Sequence, residues 1–260
     1  MSARALLGRH LLIVGGGQQS YGQQDAPIGI GRAIALVAAR LGAAVAVADI
    51  DAEAADATAG VIRAEGAQAI ALTVDGAGDE ALLGAVRRTR QELGALDGLV
   101  MNTGVVGGWD LEHTTPEDWD RVFAVNVRGH FLGCKHALPL MPPGGAIVLT
   151  SSTAARLPST SHIPAYGASK AALDGVCRYV GKEAAPRGVR VNVVMPGLMD
   201  TALGRPASQA SPHRDATPVP LGRRGTGWDV AHAAAFLLSH AAGYITGQTV
   251  VVDGGLSALA

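Results

Sequence analysis

Cysteine is scarce in this chain of 260 residues: Cys134 and Cys177 are the only two. Two thiols exclude a disulfide-stapled secreted scaffold. There is no Cys-x-x-Cys pair, and the eight histidines show no metal-site spacing, so no metal is expected. Aromatic residues make up only 4%, which offers no obvious stacking box for a sugar or a steroid. An excess of one charge is also missing. Twenty-one basic and 22 acidic residues leave a formal net charge of −1, which argues against nucleic acid or an anionic membrane as a partner. No apolar run is long enough to span a bilayer. The longest apolar region, Ala33 to Ile50, is broken by Arg40, Gly42 and Asp49. The early stretch Leu11 to Val14 is too short for a signal-peptide core and ends in glycines, so the expectation is a cytoplasmic protein. The absence of G-x-x-x-x-G-K-S/T excludes a P-loop nucleoside triphosphatase.

What is abundant is glycine, 35 residues, within a composition that is 48% hydrophobic and 17% charged. That is a globular chain with tight turns and close helix–sheet packing. Short apolar strands alternate with helical patterns. Strands are expected at Leu11–Val14, Ala44–Ala48 (ending at Asp49), Ala69–Val74 (ending at Asp75), Leu99–Met101, Ile147–Leu149, Val189–Met195 and Val250–Val252. Helices are expected from Ile30 to Leu41, Ala52 to Glu65 and Asp79 to Leu93, with Asp79 as cap. Others start at Thr115-Pro116 and run toward Met141, start near Ala165, and run from Thr226 to Ser239 with Thr226 as cap. Continuous apolar strands separated by helices indicate an α/β fold: a single-domain, doubly wound, Rossmann-type, seven-stranded parallel sheet with helices on both faces. One domain over 1–260 is expected, because no composition break divides the chain. The segment 197–227 is the exception to the periodicity. It holds four prolines and reads as a substrate-binding loop, with Leu198 and Leu203 as lid residues.

Ligands of such sheets bind at the carboxyl ends of the strands. The residues there are Gly15-Gly16-Gly17, Asp49, Asp75, Asn102-Thr103-Gly104, Ser151-Ser152 and Pro196-Gly197. Gly29-Ile30-Gly31 opens a helix whose N-terminus suits a pyrophosphate. Asp49 ends the second strand, where a carboxylate accepts hydrogen bonds from ribose hydroxyls and repels a ribose phosphate. No Arg or Lys follows it, so NAD is favoured over NADP.

Across nearly its whole length the chain resembles the short-chain dehydrogenase/reductase family. Val14-Gly15-Gly16 with Gly29-Ile30-Gly31 resembles the T-G-x-x-x-G-x-G turn, Met101-Asn102-Thr103-Gly104 the N-N-A-G element, and Val125-Asn126-Val127-Arg128-Gly129 the V-N-x-x-G element. Ser152 matches the catalytic serine, and Tyr166-Gly167-Ala168-Ser169-Lys170 matches Y-x-x-x-K. Pro196-Gly197 with Thr201 matches P-G-x-x-x-T, and Ile245-Thr246-Gly247-Gln248 leading to Val252-Asp253-Gly254-Gly255 matches the C-terminal segment. The resemblance implies a hydride-transfer oxidoreductase acting on a secondary alcohol or its ketone, with Asn126, Ser152, Tyr166 and Lys170 as catalytic residues. It implies NAD contacts from Gly15, Gly17, Gly29, Ile30, Asp49, Asp75, Asn102, Gly104, Tyr166, Lys170, Pro196, Gly197, Met199 and Thr201. It implies a homotetramer or dimer, built through the helices near Asn126 and Tyr166 and through the C-terminal strand. By the same resemblance, Asn126 holds a water beside Lys170.

The chemistry follows from the residue types. Tyr166 and Lys170 are four apart and share one helix face. An ammonium near a phenol favours the phenolate, and a phenolate takes the proton of an alcohol as hydride leaves. Ser152 holds the substrate oxygen against Tyr166. Three departures from the family pattern stand out. The glycine turn is expanded by roughly nine residues, within Gly17 to Ile28, a polar stretch without Lys or Arg that can loop over the adenosine side, reach a neighbouring subunit, reshape the phosphate site at Gly15 to Gly17 or be a tolerated surface insertion. Gly15 stands at the usual Thr, and Met101 and Thr103 replace residues of N-N-A-G. The Ser152-to-Tyr166 spacing is one residue longer than the commonest, which makes Ser151 the second candidate. Trp109, His113 and His162 lie in loops that can face substrate. A serine hydrolase is set aside because Gly167-Ala168-Ser169-Lys170-Ala171 lacks the second glycine of G-x-S-x-G. A rival from another class is a non-catalytic dinucleotide-binding sensor or scaffold.

Overall fold

The computed structural model describes residues 4–157, 163–205 and 217–259. Seven strands form one all-parallel sheet: β1 (His10–Val14), β2 (Ala44–Asp49), β3 (Ala69–Thr73), β4 (Gly98–Met101), β5 (Ala146–Thr150), β6 (Arg190–Pro196) and β7 (Thr249–Val252). Their spatial order is β3-β2-β1-β4-β5-β6-β7, so the winding direction reverses between β1 and β4. A crevice opens at such a reversal, between the loops that leave the two strands in opposite directions.

Alternate residues of each central strand feed opposite cores. Leu11 and Ile13 of β1 pack with Ile34 of α1 (Ile30–Arg40), Ile62 of α2 (Ala52–Ala64) and Val230 of α7 (Gly227–Leu238). Leu12 and Val14 pack with Leu82 of α3 (Asp79–Leu93), Leu132 of α5 (Gly129–Ala137) and Cys177 of α6 (Pro164–Ala184). Both faces are therefore dry, which is why these strands read as unbroken apolar runs. Each fully buried Leu, Ile or Val adds about 1.5–3 kcal/mol of transfer free energy. Cys134 and Cys177 are free and buried, and burial pushes both thiols up to about 12, so they behave as small apolar residues. Among the described residues, no helix is long and apolar enough to cross a membrane, and no cluster of His, Cys, Asp and Glu could hold a metal ion.

Several expected boundaries shift for local reasons. β3 ends at Thr73, although the Val74 amide still donates to the Asp49 carbonyl at 2.8 Å. The cap of α3 is Gly78, not Asp79. The Asp79 carboxylate instead lies 2.6 Å from His136 Nε2 and 3.8 Å from Lys135 Nζ, tying α3 to α5. Thr115 caps α4 (Pro116–Phe123), and Thr226 caps α7 in a reciprocal box with Asp229, as their sequences require. The long helix expected from Pro116 toward Met141 is not uniform. A π-turn, Ala124–Arg128, separates α4 from α5, and a 3₁₀ turn at Leu138–Leu140 ends the run. The wider turn holds Asn126 and takes one residue out of the regular ladder.

Candidate active site

The first loop of the crevice leaves β1 at Val14. Gly15 then takes φ +81°, the left-handed conformation that favours glycine. Gly15, rather than Gly16, is thus the tight-turn glycine, and Val14 closes the strand where the resemblance placed Gly15 at a threonine. A Cβ on Gly31 would collide with the Gly15 carbonyl and would lie 2.7 Å from Asn102 Nδ2. Asn102 Nδ2 donates to that same carbonyl at 2.9 Å, so it joins the lips of the β1 and β4 loops. The N-terminus of α1 follows with Gly29 as an extended N-cap, no side-chain cap and no acidic residue in the first turn. Its orphan N–H groups and dipole face the crevice end of the sheet, a cradle for a phosphate. Asp49, 8% exposed, ends β2 beside this turn. Its Oδ2 accepts from the Gly17 amide at 2.9 Å and its Oδ1 from the Asp51 amide at 3.2 Å. A Cβ on Gly17 would sit 2.7 Å from Asp49 Oδ2, so the carboxylate and the turn are fitted to each other. This glycine cradle, uncapped helix end and strand-end carboxylate fit a dinucleotide.

Asp75 is exposed and caps its own turn by accepting from the Ala77 amide at 2.9 Å. Thr103 fits because Gly76 opposite it has no side chain; a Cβ there would lie 2.9 Å from the threonine methyl. Gly197 follows Pro196 where any Cβ would overlap Asp253, and its amide donates to the Val252 carbonyl at 3.0 Å. Thr201, nearly buried, accepts from the Gly204 amide at 3.1 Å. Met199 was expected near the nicotinamide. Its side chain instead packs in the core on the α1–α7 face, against Gly225. Leu198 is also buried, whereas Leu203 is exposed. Trp109 is exposed and His113 bonds Asp110, while His162 and the part of the loop from 206 to 216 lie outside the described residues.

The expected catalytic residues converge at the ends of β4 and β5. Lys170 is 2% exposed, and its Nζ donates to the Thr150 carbonyl at 2.9 Å. It lies 5.7 Å from the centre of the Tyr166 ring. Burial pushes its ammonium down to about 7. Gly104 closes over it: a Cβ there would lie 3.2 Å from Nζ and 3.7 Å from Asn126 Oδ1. Both polar atoms of the Asn126 side chain are engaged. Its Oδ1 accepts from the Val105 amide at 2.9 Å, and its Nδ2 donates to the Val105 carbonyl and to Ser169 Oγ, both at 3.0 Å. Ser169 Oγ in turn donates to the Tyr166 carbonyl at 2.7 Å. Asn126 therefore fastens the β4 loop to the helix bearing Tyr166 and Lys170.

The two serines separate cleanly. Ser151 is buried and its Oγ donates to the Lys170 carbonyl at 2.8 Å, which locks β5 to α6. Ser152 is half-buried, and its oxygen accepts from the Ala154 amide at 3.2 Å, leaving its proton to be given elsewhere. The turn it starts, Thr153–Ala155, packs on α6 at Gly167, one residue from Tyr166. The geometry favours Ser152.

A family model described as enoyl-(acyl carrier protein) reductase matches residues 26–257. The chain belongs to the short-chain dehydrogenase/reductase family. Members of this family are nicotinamide-dinucleotide oxidoreductases, and the family model's match begins behind most of the insertion in the glycine turn. The chain is 36% identical over 238 residues to 2-(S)-hydroxypropyl-CoM dehydrogenase 3 of Xanthobacter autotrophicus, covering 89% of this chain and 93% of that protein. It is 39% identical over 234 residues to the inactive 2-(S)-hydroxypropyl-CoM dehydrogenase 2 of the same organism, covering 87% of this chain and all of that one. A short-chain dehydrogenase from Burkholderia cenocepacia, solved in complex with NADP, superimposes with a TM-score of 0.87 at 35% identity, over 98% of this chain and 100% of that one.

One buried group beside this site was not legible as such. His130, one turn after Asn126, is fully buried, and neither ring nitrogen makes a well-formed hydrogen bond among the described residues. Burial, and then the charge of Lys170, hold it down to about 3. The unfolded chain takes up that proton near 6.5 and the native state only near 3. Stability is therefore lost as pH falls through this window. His130→Leu removes the titrating ring and with it the loss. Its stability advantage over the wild type is expected to be about 2–3 kcal/mol larger at pH 4.5 than at pH 7.5, read from urea midpoints.

Proposed function

We propose that this chain is an NAD-dependent dehydrogenase that interconverts a secondary alcohol and its ketone, with Tyr166 as general acid–base. The observation that carries this reading is the buried Lys170 ammonium, fixed by the Thr150 carbonyl and set over the Tyr166 ring. A cation held there in a dry environment favours the phenolate, and Tyr166 then accepts the alcohol proton. Ser152 donates to the substrate oxygen and holds it against Tyr166. Asn126 acts by holding the β4 loop and α6 together. When bound, a nicotinamide dinucleotide supplies the hydride acceptor; Gly15, Gly17, Gly29, Ile30, Asn102 and Gly104 would line its phosphates and nicotinamide side. Asp49 and Asp75 would meet the adenosine, and Pro196, Gly197 and Thr201, with the main chain of Met199, the carboxamide end. The name of one relative, 2-(S)-hydroxypropyl-CoM dehydrogenase, describes a secondary alcohol, which supports this substrate class.

The preference for NAD rests on Asp49, whose carboxylate is committed to the glycine turn and would repel a 2′-phosphate. Titration with NADH and NADPH, followed by tryptophan-to-nicotinamide energy transfer, is expected to show NADH binding at least about tenfold tighter, a gap of about 1.4 kcal/mol. Asp49→Ser should close that gap. Tighter binding of NADPH by the wild type would overturn the preference. On the same reading, residues 1–260 form one cytoplasmic domain, residues 197–227 include the substrate loop, and the protein is a homotetramer or dimer. Exposed Trp119, Phe131 and Tyr179 on α4, α5 and α6, and Tyr244 near β7, support that assembly.

A further inference from the structure

The insertion in the glycine turn is built, not merely tolerated. Its neck is closed by one side chain: Gln18 Nε2 donates to the Gln19 and Pro27 carbonyls, both at 3.2 Å, and Gln18 Oε1 accepts from the Gly29 amide at 2.9 Å. On the adenosine side, Gln19 Nε2 donates to Asp51 Oδ2 at 3.3 Å. The chain reverses at Tyr21 and Gly22, both with positive φ (49° and 75°). The Tyr21 side chain is exposed at this tip. The far side meets the segment after β6. Gln23 Nε2 donates to the Ala202 carbonyl at 3.0 Å. Arg205 Nη1 donates to Gln23 Oε1 at 3.3 Å and to the Asp25 carbonyl at 3.0 Å. Asp200 holds the other side of that guanidinium, at 3.1 Å from Nε and 3.4 Å from Nη2.

The insertion thus starts at the end of β1 and touches a segment that starts at the end of β6, with β4 and β5 lying between those strands. A dinucleotide lying from Asp49 toward Tyr166 would pass beneath that crossing. We propose that residues 18–28 are a strap over the dinucleotide site and that Arg205 is the positioning residue that latches the strap to the Thr201–Ala202 segment. This inference rests on the dinucleotide reading of the site. The neck and the ends of the strap are anchored to rigid elements, with Ile28 packed on the core and its carbonyl against Gly227. The contacts of Gln23 and Arg205 are half-exposed hydrogen bonds between side chains and carbonyls, so they are the cheapest place for the roof to part. Release of the dinucleotide is therefore governed by the latch, and the latch couples its presence to the placement of Thr201.

The test compares the wild type with Arg205→Ala, Gln23→Ala and Arg205→Lys. NADH release is followed by stopped-flow displacement with excess NAD. Arg205→Ala and Gln23→Ala should release NADH about tenfold faster, with the melting temperature unchanged within about 2 °C. Arg205→Lys should recover part of the effect, since an ammonium reaches one acceptor but cannot also fork onto Asp200. In the free protein, chymotryptic cleavage after exposed Tyr21 should be faster in Arg205→Ala. If NADH binds but both release and cleavage stay within about twofold of the wild type, the strap proposal is wrong and the dinucleotide reading stands. If the wild type binds neither NADH nor NADPH, the reading of the site fails and takes the strap's ligand with it.

Discussion

Tyr166→Phe is expected to lower turnover by roughly 10²–10⁴-fold, the range for loss of a positioned general acid–base. The ring remains, so the contact of Lys170 with its face and the packing of α6 on the Thr153–Ala155 turn survive. NADH affinity should stay within about threefold of the wild type, well under 1 kcal/mol. This split is what separates an enzyme from a dinucleotide-binding sensor, in which the hydroxyl would have no chemical task and the variant would behave as the wild type. The distinction is needed because a relative 39% identical to this chain is an inactive dehydrogenase. Family membership carries the fold, and the Tyr166 hydroxyl decides the chemistry. Initial rates over a panel of secondary alcohols with NAD, alongside the NADH titration, measure both halves. Turnover by the variant within tenfold of an active wild type would move the proton transfer to another group.

The sheet was readable because it is dry on both faces. With helices above and below, the strands are mostly apolar, and the seven runs stand out between helical patterns. Asp49 could be placed at a strand end from the pattern, whereas Ser152, Tyr166 and Lys170 stood out through the family resemblance, the spacing adding only that Tyr166 and Lys170 share a helix face. What spacing could not show was competition between neighbours. Asp79 looks like a cap until His136 and Lys135 of another helix reach it. Met199 looks like a pocket residue until Gly225 leaves room for its sulfur in the core. The π-turn at Asn126 carries no propensity signal, and it holds an amide that meets both Val105 backbone groups. The partners of Arg205 in the insertion lie 182 and 180 residues away, beyond any local pattern. Of the residues not foreseen, His130 had a usable signal: one polar residue in the otherwise apolar stripe of α5 that packs on the sheet.

Lys170→Met should trade function for stability, and the pH dependence of the gain identifies its cause. The lysine is almost completely buried, and among the described residues its ammonium bonds the Thr150 carbonyl. Burial lowers its ammonium from 10.5 to about 7. Between those two values the unfolded chain keeps a proton that the native state gives up, so native stability rises with pH across the window. Below pH 7 the native state carries the full cost of a buried cation, which a methionine of similar length does not. The variant should therefore be more stable than the wild type at pH 6, by about 2–4 kcal/mol, with the advantage shrinking toward pH 10. Turnover should fall by roughly 10²–10³-fold, because the charge that draws the Tyr166 proton away is gone. Thermal unfolding at pH 6, 8 and 10, with rates at each pH, measures both terms. A stability gain independent of pH would mean that better packing, rather than relief of a buried charge, stabilises the variant. A loss at every pH would mean that the Thr150 bond outweighs the burial cost. The expected outcome, a more stable and nearly inactive protein, would show that the fold bears a buried ammonium because the tyrosine beside it needs one.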